Sequence, residues 1–205
     1  MNQVYHQHEL TIGADARCLN VAHLRGMGKY LWHVIDRTAK EPGVRWHIFA
    51  DRTDLQMQTP ASGQAKADVF EMRGYRFRTW EQIGLPWRAV RTGVHLVHSP
   101  GSTMPLCQPV PAVVTIHDTV PWQLADEVAS PRWYWKLLLP LAFRRCAAVI
   151  TISDCSRRDL VRLWPWIEAK LHVVPHGIDR AYLEVEPGTL ESELAIYGVR
   201  APYMV

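Results

Sequence analysis

The chain has 205 residues, of which 48% are apolar and 21% charged, so a sizeable core is within reach and global disorder is excluded. A formal charge of +3 calls for no nucleic-acid partner. Four scattered cysteines (Cys18, Cys107, Cys146, Cys155) without a CxxC pair suit neither a zinc site nor a disulfide scaffold, and point to a reducing, cytoplasmic setting.

The polar start MNQVYHQHEL has no apolar stretch, so no secretory signal is expected and residues 1–9 are read as a frayed lead-in. Residues 10–16 (LTIGADA) read as a first strand. Gly26-Met27-Gly28 opens a helix over residues 29–40, with Tyr30, Leu31, Val34 and Ile35 at helical spacing. Residues 44–50 (VRWHIFA) are a second strand, rich in β-branched and aromatic residues, and 51–66 a loop. A weaker third strand is expected over 68–72. The helical pattern over 79–91 contains Pro86, which predicts a kink or two short helices. Strands follow at 94–98 and 112–116 (AVVTI), then a helix over 131–146 with Pro140 as a second kink. The strand AVITI (148–152), a helix over 154–163 capped by Ser153, and the strand LHVV (171–174) complete the pattern. Strands alternating with helices imply an α/β fold: a mainly parallel, doubly wound, Rossmann-like sheet with helices on both faces.

Such sheets bind ligands at the carboxyl ends of their strands. The first of these loops carries Gly26, Gly28 and Lys29, where free amides at a helix start attract anions. Its match to GxGxxG is imperfect, because Leu31 replaces the third glycine; glycines serving only a tight turn are the competing reading. The second is His117-Asp118, directly after AVVTI, where an imidazole can hydrogen-bond a hydroxyl or take a proton, or simply be structural. The third is SDCSRR (153–158), where Ser153 either contacts an anionic group or does no more than cap a helix. The fourth, His176-Gly177-Ile178-Asp179, suits a turn between two domains.

Residues 131–163 carry seven basic side chains against two acidic ones, together with Trp133, Tyr134 and Trp135. Two readings stay open for this segment: peripheral contact with an anionic membrane surface, and a core helix packing its aromatics.

Seven ordered pieces resemble the amino-terminal half of the family-4 retaining glycosyltransferases: IGADAR (12–17), RGMGKY (25–30), TWEQIGLP (79–86), VHSP (97–100), TIHDTVP (115–121), ITISDCSRRDL (150–160) and VVPHGID (173–179). The resemblance implies one half of a GT-B fold. It implies transfer of a sugar from a nucleotide-sugar donor to a carbohydrate or lipid-linked acceptor, as in polysaccharide biosynthesis. No metal and no cofactor beyond the nucleotide sugar are implied. His117 corresponds to the catalytic histidine lining the reaction centre. Gly26, Gly28, Lys29, Asp118 and Ser153 are carried over as substrate-binding positions. Residues 10–180 would be the acceptor-side domain, and 181–205 a linker with the start of a donor-binding domain, so that the chain alone would be inactive. The rival expectation is a non-catalytic Rossmann-like module that binds a glycan or a membrane.

Overall fold

The computed structural model describes residues 9–54, 57–60, 65–69, 76–123, 131–178, 194–196 and 198. Seven strands form one sheet: β1 (Leu10–Asp15), β2 (Val44–Ala50), β3 (Ala65–Val69), β4 (Leu96–Ser99), β5 (Ala112–Ile116), β6 (Ala148–Thr151) and β7 (Leu171–Val173). All pairings are parallel and the order is β3-β2-β1-β4-β5-β6-β7, which is the expected doubly wound arrangement. The order reverses between β1 and β4, so a crevice opens above their carboxyl ends.

Helix α1 (Gly26–Thr38) buries Leu31 and Ile35 against Ala14, Trp46 and Ile48 on one face of the sheet. The opposite face carries α2 (Arg76–Thr79), a π-helical turn (Trp80–Gly84), α3 (Leu85–Thr92), α4 (Val120–Gln123), a second π-helical turn (Tyr134–Leu138), α5 (Leu139–Arg145) and α6 (Asp154–Leu163). Phe49, Trp80, Leu85, Ala89 and Val97 form one core cluster there. Val114, Ile116, Leu139, Phe143, Val149 and Leu160 belong to another.

The sequence expectations need adjusting: the strand expected over 94–98 runs Leu96–Ser99, and the short helix α4 is an addition. Gly26 and Gly28 lie inside α1 rather than ahead of it. The third strand sits earlier than 68–72, because pairing of Ala65–Val69 with Trp46–Ala50 fixes its register. Pro86 and Pro140 each stand where the helix type changes, α3 and α5 beginning one residue before them. Each falls in the first turn after a π-helical turn, where the bonding pattern has already shifted and the missing N–H is tolerated. Finally, the short turns Arg17–Leu19 and Pro165–Lys170 carry no periodic signal and were not expected.

The chain divides into two compact units, Met1–Pro175 and His176–Val205. Most of the second lies outside the described residues, including Asp179 and the expected linker from 181 onward.

Candidate active site

Two groups of polar side chains meet the end of the sheet near the switch point, one on each face. On the α1 face, β4 presents His98 and β5 presents Thr115. Thr115 Oγ1 lies 2.9 Å from His98 Nε2 and 3.0 Å from the hydroxyl of Tyr30 on α1. Burial holds the His98 imidazole neutral, with its pKa pushed down to about 4. Burial likewise raises the Tyr30 hydroxyl above its ordinary value.

His117 follows β5 and stands half-buried above this pair, its ring edge-to-face with Tyr30 at 5.2 Å. Its Nε2 lies 2.8 Å from the carbonyl oxygen of Pro100. A carbonyl only accepts, so Nε2 carries a proton. The backbone holds the residue from both sides: its N–H donates to Ser102 Oγ at 3.4 Å, and its carbonyl accepts from Ser156 Oγ at 3.0 Å. Ser102 has a φ of 60°, the left-handed conformation that bends the loop after β4 towards β5.

The other expected residues divide by role. Gly28 is buried, and a Cβ there would stand 2.6 Å from the Cys18 carbonyl oxygen, so this glycine is needed for α1 to approach the loop after β1. Gly26 is exposed, with open space where its Cβ would be. Lys29 is exposed on the same turn. The N-cap residue Arg25 makes no side-chain bond to the first amides of α1, a turn suited to taking an anion. A Cβ on Gly101, in the loop after β4, would stand 3.9 Å from Met27 Sδ, so the α1 start and that loop are neighbours. Asp118 is exposed, and its Oδ1 accepts from the Val120 N–H at 3.0 Å, which starts α4. Ser153 Oγ accepts from the Ser156 N–H at 3.1 Å, the expected N-cap of α6. Ser156, rather than Ser153, ties that helix start to His117. His176 and Gly177 fall in the second compact unit.

The face away from α1 holds a buried charged cluster to which sequence reading assigned no role. Arg17 grips Asp15 in a two-point ion pair, Nε–Oδ1 at 2.9 Å and Nη2–Oδ2 at 2.5 Å. The same Nη2 reaches Glu81 Oε2 at 2.7 Å, and the guanidinium sits 4.8 Å from the centre of the Trp80 ring. Glu81 is wholly buried and also accepts from Thr103 Oγ1 at 2.5 Å, Gln82 Nε2 at 2.9 Å and the Tyr134 hydroxyl. Burial pulls the Arg17 pKa down, but the two carboxylates more than offset that and hold it above its ordinary value. Burial and the neighbouring Glu81 raise the Tyr134 hydroxyl strongly. The available signal was the single acid of the helical segment 79–91, Glu81 beside Trp80. Among the described residues no three His, Cys, Asp or Glu side chains gather as a metal site would require.

The family model for Glycosyltransferase Family 4 matches residues 24–182. Among solved structures, Anabaena Alr3699/HepE in complex with UDP and glucose superposes with a TM-score of 0.60 at 14% identity, over 93% of this chain and 50% of that one. The same protein in complex with UDP-glucose gives 0.59 at 15% identity, over 92% and 50%. A glycosyltransferase from Rickettsia africae ESF-5 gives 0.54 at 13% identity, over 95% and 51%. At such identities the likeness is one of fold, the Rossmann-like architecture of one half of a GT-B molecule. This chain spans about half the length of these structures. No curated protein sequence matches it.

Proposed function

We propose, from the premise that this chain belongs to glycosyltransferase family 4, that it is the acceptor-side domain of a retaining sugar transferase. The donor is a nucleotide sugar, in keeping with the UDP and UDP-glucose named for the Anabaena structures, and the acceptor a glycan or lipid-linked hydroxyl. The first compact unit, which ends at Pro175, corresponds to the domain expected over 10–180, and the donor is held largely by a partner domain beyond it. The four cysteines are unpaired thiols, in keeping with work in the cytoplasm.

In the reaction the bond between the anomeric carbon and the departing diphosphate oxygen breaks. The acceptor hydroxyl oxygen bonds to the same face of that carbon, and its proton passes to the leaving phosphate. His117 contacts the transferred sugar, its ring held in one orientation by the Pro100 carbonyl. The first turn of α1, with Gly26 and Lys29 exposed on it, receives the diphosphate charge. Gly28 lets that turn approach β1. Asp118 and Ser153 shape the loops on either side of His117.

The observation that carries this reading is the placement of His117: half-exposed above the switch point, with backbone and ring both pinned. The test compares wild type with His117→Ala in the full-length protein that carries this chain. Nucleotide release from UDP-sugars and the melting temperature are followed together. A loss of turnover well over tenfold at unchanged melting temperature is expected; near-normal turnover removes His117 from the reaction.

A further inference from the structure

The helical runs 76–92 and 132–145 cover the sheet face away from α1 side by side. Arg78 brings its guanidinium 5.9 Å from the Trp133 ring, and Tyr134 bonds Glu81. Their inner sides fill the core. Their outer sides expose Ile83, Trp87 and Val90 on one run and Trp133, Leu137 and Leu141 on the other, each between 44% and 60% accessible. These positions recur at i, i+4 and i+7 or i+8, so each run carries an apolar stripe that faces solvent. Isolated exposed apolar residues are ordinary, whereas two neighbouring stripes with two tryptophans are not.

The charge on these runs has one sign. Arg91, Arg132, Lys136, Arg144 and Arg145 are exposed on them, whereas their single acid, Glu81, is wholly buried. Arg91 lies over the Trp87 ring at 5.3 Å, so an exposed cation and aromatic are presented together, while Arg88, 5.1 Å from the same ring, pairs with Asp68. The basic segment 131–163 is therefore not the surface as a unit. Tyr134 and Trp135 are core residues, and Arg157 and Arg162 of α6 pair with Glu168 and Asp159. The surface instead joins the outer side of 132–145 to that of 76–92, which the sequence alone does not bring together.

We propose that this paired-stripe surface docks on an anionic lipid bilayer. Aromatic and aliphatic side chains enter the boundary between headgroups and acyl chains, and the long arginine and lysine chains reach the phosphates around them. No helix among the described residues is long and apolar enough to cross a membrane, so the contact is one of lying on the surface. The exposed charge on the described residues of these two runs is positive, which complements a layer of anionic headgroups.

The test is sedimentation of the full chain with vesicles. One set is pure phosphatidylcholine, and the other contains about one third phosphatidylglycerol, at low and at high salt. Binding at least tenfold tighter to the anionic vesicles, weakened by salt, is expected. Trp87→Ser with Leu137→Ser should weaken it at least tenfold, as should Lys136→Glu with Arg91→Glu, with melting temperatures unchanged. Bromine-labelled lipid should quench tryptophan emission in wild type and less in Trp87→Ser. Equal binding to both vesicle types, no effect of the paired variants, or a dimer in solution that the same variants dissolve would each overturn the proposal. Its failure leaves the transferase reading untouched, since that is read from turnover and from His117.

Discussion

Away from α1, the end of β1 is closed by a buried ion-pair cluster in which Glu81 alone receives four donor side chains and Arg17 a two-point contact. Beneath α1, on the other face of the same strands, the buried groups are neutral, with His98, Thr115 and Tyr30 in one short chain. Burial works on both sides but with different outcomes. Charge partners overcome it for Arg17, whereas for His98 nothing does and the ring stays uncharged. The charged side ties the loops after β1 and β4 to two helical runs and consumes its bonding capacity within the protein, so it is a brace. The neutral side leaves His117 half-exposed above it, which is where the proposed reaction site lies.

The largest expected effect breaks the brace. Glu81→Ala leaves Arg17 with one carboxylate and the Tyr134 hydroxyl without its acceptor, and should cost about 3–5 kcal/mol in urea unfolding. A loss below about 1 kcal/mol would show that the cluster does not hold the loops.

The neutral side is probed by pH. The His98 pKa is about 4 in the folded chain against an ordinary 6.5. Between those values the unfolded chain binds a proton that the folded chain refuses, so this contribution is present above pH 6.5 and is lost as the pH falls to 4. The full loss is about 3 kcal/mol. His98→Gln should flatten the slope of stability against pH across this window, and parallel slopes for the two proteins would contradict a buried neutral His98.

The two sides also differ in how far the sequence reveals them. The strand pattern exposes the sheet, because β-branched runs such as AVVTI have one reading, and the rule on strand ends then finds His117. Ser153 is legible as a cap because capping is local, and the structure keeps it so. The brace is not legible. Arg17 and Glu81 lie 64 positions apart and acquire a joint meaning only once β1 and the π-helical turn are packed. Gly26 and Gly28 look alike in RGMGKY, yet one faces open space and the other a carbonyl oxygen, a distinction made by a loop that the motif does not contain. The paired stripes fail for the same reason: helical periodicity finds the buried side of each run, but not which exposed sides become neighbours.

Matched substitutions sharpen the comparison most directly. Thr103→Val removes a donor to the buried Glu81 carboxylate, and Thr115→Val removes the hydroxyl between His98 and Tyr30. Both threonines are buried, and valine keeps their shape, so the difference isolates the hydrogen bond. A bond to a charged group is worth roughly twice one between neutral groups, which sets Thr103→Val at about 2 kcal/mol and Thr115→Val at about 1 kcal/mol. The two should differ in a second way. Thr103→Val should leave His117 undisturbed and act on stability alone. Thr115→Val removes a hydroxyl partner of Tyr30, whose ring packs edge-on against His117, and should therefore also lower turnover in the full-length protein. Equal costs, or a turnover effect from Thr103→Val alone, would mean that the brace and the ligand side are assigned to the wrong faces.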